Sequence, residues 1–249
     1  MRLKFALIVL FALIIAGCAE LRQIAEQFES PGPLTNQEVV DGLKQALTIG
    51  ADSAASRLSA TDGYYRDKAV RIMLPPEAQI ITENLSLIPG GDKLVEDLIL
   101  RINRSAENAA REAAPVFAAA VRNMSIRDGF AILRGESDAA TSYLRSATWD
   151  ELYGLYQPRI KSSVDRALVG NISTAEAWDA LTGQWNRVAN SAVGRMSDLK
   201  PVNVELDRYL TERALDGLFL KLAEQEEIIR TNPAARVTDL LRRVFGQQD

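Results

Sequence analysis

The chain has 249 residues, 47% hydrophobic and 25% charged, with 29 basic against 33 acidic side chains and a formal net charge of −4. That is globular composition, long enough for one large domain or two small ones. Histidine is absent and Cys18 is the only cysteine, which excludes His-based acid/base catalysis, Ser-His-Asp triads, His-ligated zinc and disulfides within the chain.

Residues 1–17, MRLKFALIVLFALIIAG, join a short basic start (Arg2, Lys4) to an apolar run from Phe5 to Ile15, and the small residues Ala16 and Gly17 precede Cys18. The run is short for a bilayer span and predicts a cleaved signal peptide. Ile15-Ala16-Gly17-Cys18 resembles the bacterial lipobox, whose cysteine is acylated and becomes the first mature residue. The resemblance implies that Cys18 carries acyl chains such as palmitate, each buried methylene adding about 0.8 kcal/mol to membrane attachment. Ala19 stands where an aspartate would signal retention, and likeness to enterobacterial lipoproteins then implies the inner leaflet of the outer membrane, facing the periplasm. Cleavage removes Arg2 and Lys4 and no acidic residue, so the mature chain is two charges more negative than the −4 of the whole. That balance speaks against nucleic acid as a partner.

Residues 18–34 read as a tether, with Leu21, Ile24 and Phe28 on one short helical face and Ser30-Pro31-Gly32-Pro33 breaking it. From there the pattern is helical, and residues 35–249 are expected to form a single domain. Thr35 and Glu38 make a capping box for a helix ending near Ala60, with Val39, Val40, Leu43, Leu47, Ala54 and Leu58 at helical spacing. The stretch TDGYYRDKAVRIMLPPEAQ is the least helical part. Asp62-Gly63 turns the chain, Ile72-Met73-Leu74 is extended in front of Pro75, and Pro76 opens a short helix to Leu87.

After Pro89-Gly90-Gly91, Asp92 is placed to cap a long helix to about Asn123, kinked at Pro115. Ser125 with Asp128 and Thr148 with Glu151 predict two further helix starts, so the middle reads as a set of short helices. Ser173 with Glu176 opens a helix carrying Trp178, Leu181, Trp185 and Val188 on one face. Lys200-Pro201 breaks the chain before a long helix from about Asn203 to Arg230, and a last helix runs from Asn232-Pro233 to Gly246. No stretch alternates as a strand does. The expectation is an all-α, irregular multi-helix bundle of about nine helices without significant sheet, its alanine-rich sections implying close helix approach.

The segments NRSAENAAREAAPVFAAAVRNMSIRDGFAILRGESDAATSYL and YLTERALDGLFLKLAEQEEIIRTNPAARVTDLLRRVFG resemble the two signature regions of a bacterial family known as domain of unknown function 4197, found largely in secreted proteins and lipoproteins. The family pattern has an Asn-Arg-Ala-Ala-Glu core. Asn103, Arg104 and Glu107 match it, Ser105 replaces its first alanine, and Gly129 stands where alanine is usual. The resemblance implies no activity.

The cluster itself asks for a reason, because Asn103, Arg104, Glu107, Asn108 and Arg111 crowd a helix otherwise made of alanine. Asn103 and Glu107 share a face, and Glu107 stands four residues before Arg111 in the favourable orientation. One reading is a polar clamp tying the long helix to short helices beginning at Ser125 and Ser137. The other is a pocket floored by alanine, with Asp128, Thr141 and Tyr143 contributing. Trp149, Tyr153, Tyr156, Trp178 and Trp185 read as core. Leu215, Leu218, Leu222, Ile228 and Ile229 form one apolar face and Val237, Leu240, Leu241, Val244 and Phe245 another, while Glu224, Glu226 and Glu227 read as a solvated run.

No catalytic motif, metal-ligand set or cofactor loop stands out. The sequence therefore leads to a non-catalytic, membrane-anchored binding or interaction module contacting an envelope protein. Its alternatives are a carrier of an apolar or amphiphilic small ligand in a helical cavity, and a His-independent envelope hydrolase.

Overall fold

The computed structural model describes residues 33–87, 90–167 and 171–246. The signal segment, Cys18 and nearly all of the tether lie outside the described residues. Among those described, the protein is all-α and has no strand.

The first helix, α1 (Asn36–Ser59), opens on the Thr35–Glu38 capping box. An irregular stretch follows to Pro75, then a 3-10 turn and α2 (Gln79–Glu83). The long central helix is broken into α3 (Gly91–Ala109) and α4 (Ala113–Asn123) by a 3-10 turn at 110–112. The break lies ahead of Pro115 for a physical reason: proline lacks the N–H that would bond the carbonyl of Arg111, and its ring crowds that carbonyl. α3 starts on Gly90 in the left-handed region, φ 70°, rather than on Asp92, which lies inside its first turn.

α5 (Ile126–Arg134) has the Ser125–Asp128 capping box. α6 (Ala139–Val164) then runs uninterrupted where the sequence suggested short helices. Thr148 does not cap; its hydroxyl bonds back to the Leu144 carbonyl at 2.6 Å, four residues earlier and inside the helix. α7 (Thr174–Ala189) has the Ser173–Glu176 box, α8 (Ala192–Met196) is a single turn, and α9 (Leu206–Thr231) is the second 26-residue helix. Asn232-Pro233 opens only a 3-10 turn, and the last helix, α10 (Asp239–Phe245), is capped by Thr238.

α9 packs against α6 and α1, α1 also meets α4, α5 and α10, and α3 lies between α6 and α7. The core between them contains Leu43, Leu58, Leu98, Ile102, Phe117, Leu144, Tyr156, Trp185 and Leu218, all buried. Phe219, also buried, is edge-on to Phe117 at 5.7 Å and stacked with the half-buried Trp149 at 5.9 Å. Ile228 and Val237 are exposed, unlike the rest of the two C-terminal apolar faces that include them. Close approach occurs where small residues allow it: a Cβ on Gly129 would stand 2.9 Å from Val40, and one on Gly42 would stand 2.7 Å from Val244.

Candidate functional site

The irregular stretch between α1 and α2 has buried backbone and no neighbouring strand, so its N–H and C=O groups need partners from elsewhere. α3 supplies them. Asn103, fully buried, accepts from the Ile72 N–H at 2.9 Å and donates to the Ile72 carbonyl at 2.8 Å. A primary amide presents an acceptor and a donor side by side, matching one residue of extended backbone. Asn186 on α7 does the same for Val202 ahead of α9, at 2.7 and 3.0 Å.

Glu107 lies one turn further along α3, also buried. One carboxylate oxygen accepts the N–H groups of Tyr64 and Tyr65, each at 3.2 Å, and the other accepts from Arg104 at 2.6 Å. Arg104 reaches on to Asp62 at 2.6 Å, and Asp62 also pairs with Arg66 at 2.9 Å. The Arg104 hydrogen bond holds the Asp62 carboxyl below its ordinary value. The turn they enclose is tight: Asp62 has φ 69°, and a Cβ on Gly63 would lie 2.2 Å from the Arg57 carbonyl.

Tyr64, the next residue, is fully buried and donates its hydroxyl to the Ala214 carbonyl of α9 at 2.7 Å. Burial pushes its phenol well above the ordinary range, and neighbouring Tyr156 and Glu107 push it further. Asn103, Arg104 and Glu107 thus hold residues 62–72, and through Tyr64 that stretch is bonded to α9. Their partner is this irregular stretch and not the helices starting after Ser125 and Asp138.

The other expected members of the cluster stand elsewhere. Arg111 is exposed, and both oxygens of Glu107 are already taken by Arg104 and by backbone. Asp128 caps its own helix through the Ser125 amide and hydroxyl. Tyr143 is half-buried and near it; burial raises the Tyr143 phenol, and the Asp128 charge adds to the rise. Thr141 belongs to a second centre.

In that second centre Glu226 of α9 accepts from the Ala140 N–H at 3.0 Å and from the Thr141 N–H and hydroxyl at 2.8 and 2.9 Å. It caps α6 from another helix, at an end where Asp138 makes no side-chain cap. Arg230 pairs with Glu226 at 2.8 Å and donates to the Ile132 carbonyl near the end of α5 at 3.0 Å. Glu226 is buried and not part of a solvated run. Its spacing carried the signal, because it lies four residues after Leu222 and three before Ile229, on the apolar stripe.

Beside this centre an apolar pocket of about 20 Å³ lies between α1, α6, α9 and α10, lined by Leu43, Leu47, Leu222, Ile229 and Phe245 among others. A shallower groove of about 270 Å³ separates residues 69–73 from α9. Among the described residues, no group of three or more Cys, Asp or Glu side chains is placed to hold a metal ion, and no helix is long and apolar enough to cross a membrane.

The model of a protein family of unknown function, DUF4197, matches residues 33–246. The chain belongs to the DUF4197 family. The α3 clamp, the Glu226 centre and the groove all fall within the matched span of this DUF4197 chain. No curated protein and no solved structure matches it.

Proposed function

We propose that the mature chain is a non-catalytic helical binding module of the cell envelope, tethered through acylated Cys18 to the periplasmic side of the outer membrane and engaging an envelope protein. The observation behind the non-catalytic reading is the use of the α3 cluster. Asn103, Arg104 and Glu107 spend their hydrogen bonds on backbone and on Asp62, which leaves no nucleophile paired with a base in that cluster. The lipobox-like sequence supports the tether.

The test compares the native chain with Cys18→Ser in cells. Wild type is expected in membranes after detergent-free washing and crosslinked to the same envelope protein in repeated preparations, with Cys18→Ser released. Full retention of Cys18→Ser would overturn the anchor, and the absence of any reproducible crosslink would overturn the protein partner.

A second reading, a carrier of an apolar or amphiphilic small ligand, is favoured by the apolar pocket behind α10. At about 20 Å³ it has room for about one water, so a larger ligand requires the helices lining it to part. Lipid co-purifying with the chain in native mass spectrometry would support it. The hydrolase reading draws no support from the α3 cluster.

A further inference from the structure

The α3 clamp fixes the backbone on both sides of Arg71. Ile72 is held by Asn103, and Tyr65, whose N–H is held by Glu107, lies beneath the Arg71 guanidinium at 4.6 Å from the ring centroid. Arg71 is half-buried and its Nε is buried without a hydrogen-bond partner. Among the described residues none forms a hydrogen bond or ion pair with its terminal nitrogens. Of the described arginines and lysines that are not exposed, it alone makes no bond to a carboxylate or carbonyl. An arginine stacked on a fixed ring and without a hydrogen-bond or ionic partner is a binding group for an oxyanion.

Arg71 opens onto the groove against α9, where the other walls are Met73, Tyr209, Arg213, Asp216 and Leu220. Asp216 is shared between Arg145 at 2.7 Å and Arg213 at 2.9 Å. The groove lining therefore carries two arginines, Arg71 and Arg213, to one carboxylate, and Arg145 from outside the lining also pairs with that carboxylate, a local positive surplus on a chain of net charge −4. Past Tyr209 the sign reverses, with Glu77, Glu205 and Glu212 against Arg208 and the shared Arg213. Met73 and Leu220, 52% and 43% exposed, give the groove an apolar side next to its cationic one.

The free space of about 270 Å³ equals about nine water volumes. The extended segment offers little edge for an added peptide strand, because both backbone groups of Ile72 go to Asn103, the Arg71 N–H goes to Asp67, and the Tyr209 hydroxyl takes the Met73 carbonyl. We propose that this groove binds a small amphiphilic carboxylate, its anionic head on Arg71 and Arg213 and its apolar chain over Met73 and Leu220. The assignment rests on the reading of the chain as a binding module and names a ligand class for it.

Calorimetric titration of the full chain at pH 7 with octanoate, acetate, octan-1-ol and inorganic phosphate tests this. Octanoate is expected to bind saturably, and the other three to bind about tenfold more weakly or not at all. Arg71→Gln is expected to weaken octanoate by about tenfold with the protein still folded and melting cooperatively, since the side chain makes no hydrogen bond and gives up only its stacking on Tyr65. Leu220→Gln weakens octanoate and leaves any acetate binding as it was, while Arg195→Gln on α8 changes neither. Absence of saturable octanoate binding, or equal affinity in Arg71→Gln, overturns the proposal. Octan-1-ol binding as tightly as octanoate overturns the cationic half, and acetate or phosphate doing so overturns the apolar half. In each case the crosslinking result still decides the binding-module reading on its own.

Discussion

Glu107 is the residue on which the α3 cluster turns, because it neutralises Arg104 and accepts two amides from one buried position. Removing it leaves the Tyr64 and Tyr65 N–H groups without their acceptor and Arg104 with Asp62 as its remaining carboxylate. Glu107→Ala is therefore expected to lower the unfolding free energy by about 3–5 kcal/mol, read from urea midpoints at constant slope. Glu107→Gln keeps an acceptor for the amides and should lose less. A loss under about 1 kcal/mol for the alanine variant, the range of an exposed pair, would mean the carboxylate is not holding the turn. The cluster was visible in the sequence and its partner was not. Asn103 and Ile72 are 31 residues apart, and no local spacing encodes that pairing. Arg71 carried no signal either, since an arginine's lack of a partner appears only once the chain is folded.

At the scale of elements, the capping boxes at Thr35, Ser125 and Ser173 were legible because each is complete within four residues. Thr148–Glu151 has the same pattern and fails, because the chain before it is already helical and the threonine hydroxyl finds the Leu144 carbonyl first. Local motifs thus propose helix starts, and the preceding turn decides them. Two glycines separate packing from propensity. Gly154 on α6 has open space where a Cβ would go, so Gly154→Ala should raise stability by about 1 kcal/mol. A Cβ on Gly217 of α9 would stand 2.9 Å from the ring of buried Tyr64, whose hydroxyl is tied to Ala214. Gly217→Ala is expected to be net destabilising, by about 1–2 kcal/mol, as overpacking outweighs the helix gain. Thermal melts of the two variants should move in opposite directions. A shift of the same sign in both would show that α9 does not press on the 62–72 stretch.

For the whole molecule, charge sets the pH response. Hydrogen bonds from the Thr35 amide and hydroxyl lower Glu38, those from Ser173 lower Glu176, those from the Ser125 hydroxyl and amide lower Asp128, and Arg104 lowers Asp62. Each folded value lies below its ordinary one, 4.5 for the glutamates and 3.8 for the aspartates. Their contributions are complete above those values and are lost as pH falls through the folded ones. Tyr64 works at the other end. Its phenol is raised well above 10.0, so its contribution is present below that pH and is lost as pH climbs beyond it. With no histidine in the chain, denaturation midpoints should be flat from about pH 6 to 8, falling below about pH 4.5 and above about pH 10. A transition centred near neutrality would contradict this assignment of charges. The all-α class was legible because helical periodicity runs through nearly every segment, whereas the way α9 draws on α6 and on the 62–72 stretch depends on Glu226 and Tyr64 meeting distant backbone.

α3 holds the backbone of the 62–72 stretch through Asn103 and Glu107. Amide hydrogen exchange followed by NMR in wild type and Asn103→Ala tests it most directly. The Ile72 amide is expected to lose protection by about tenfold or more, while amides in the middle of α9 keep theirs. Unchanged protection at Ile72 would contradict the clamp.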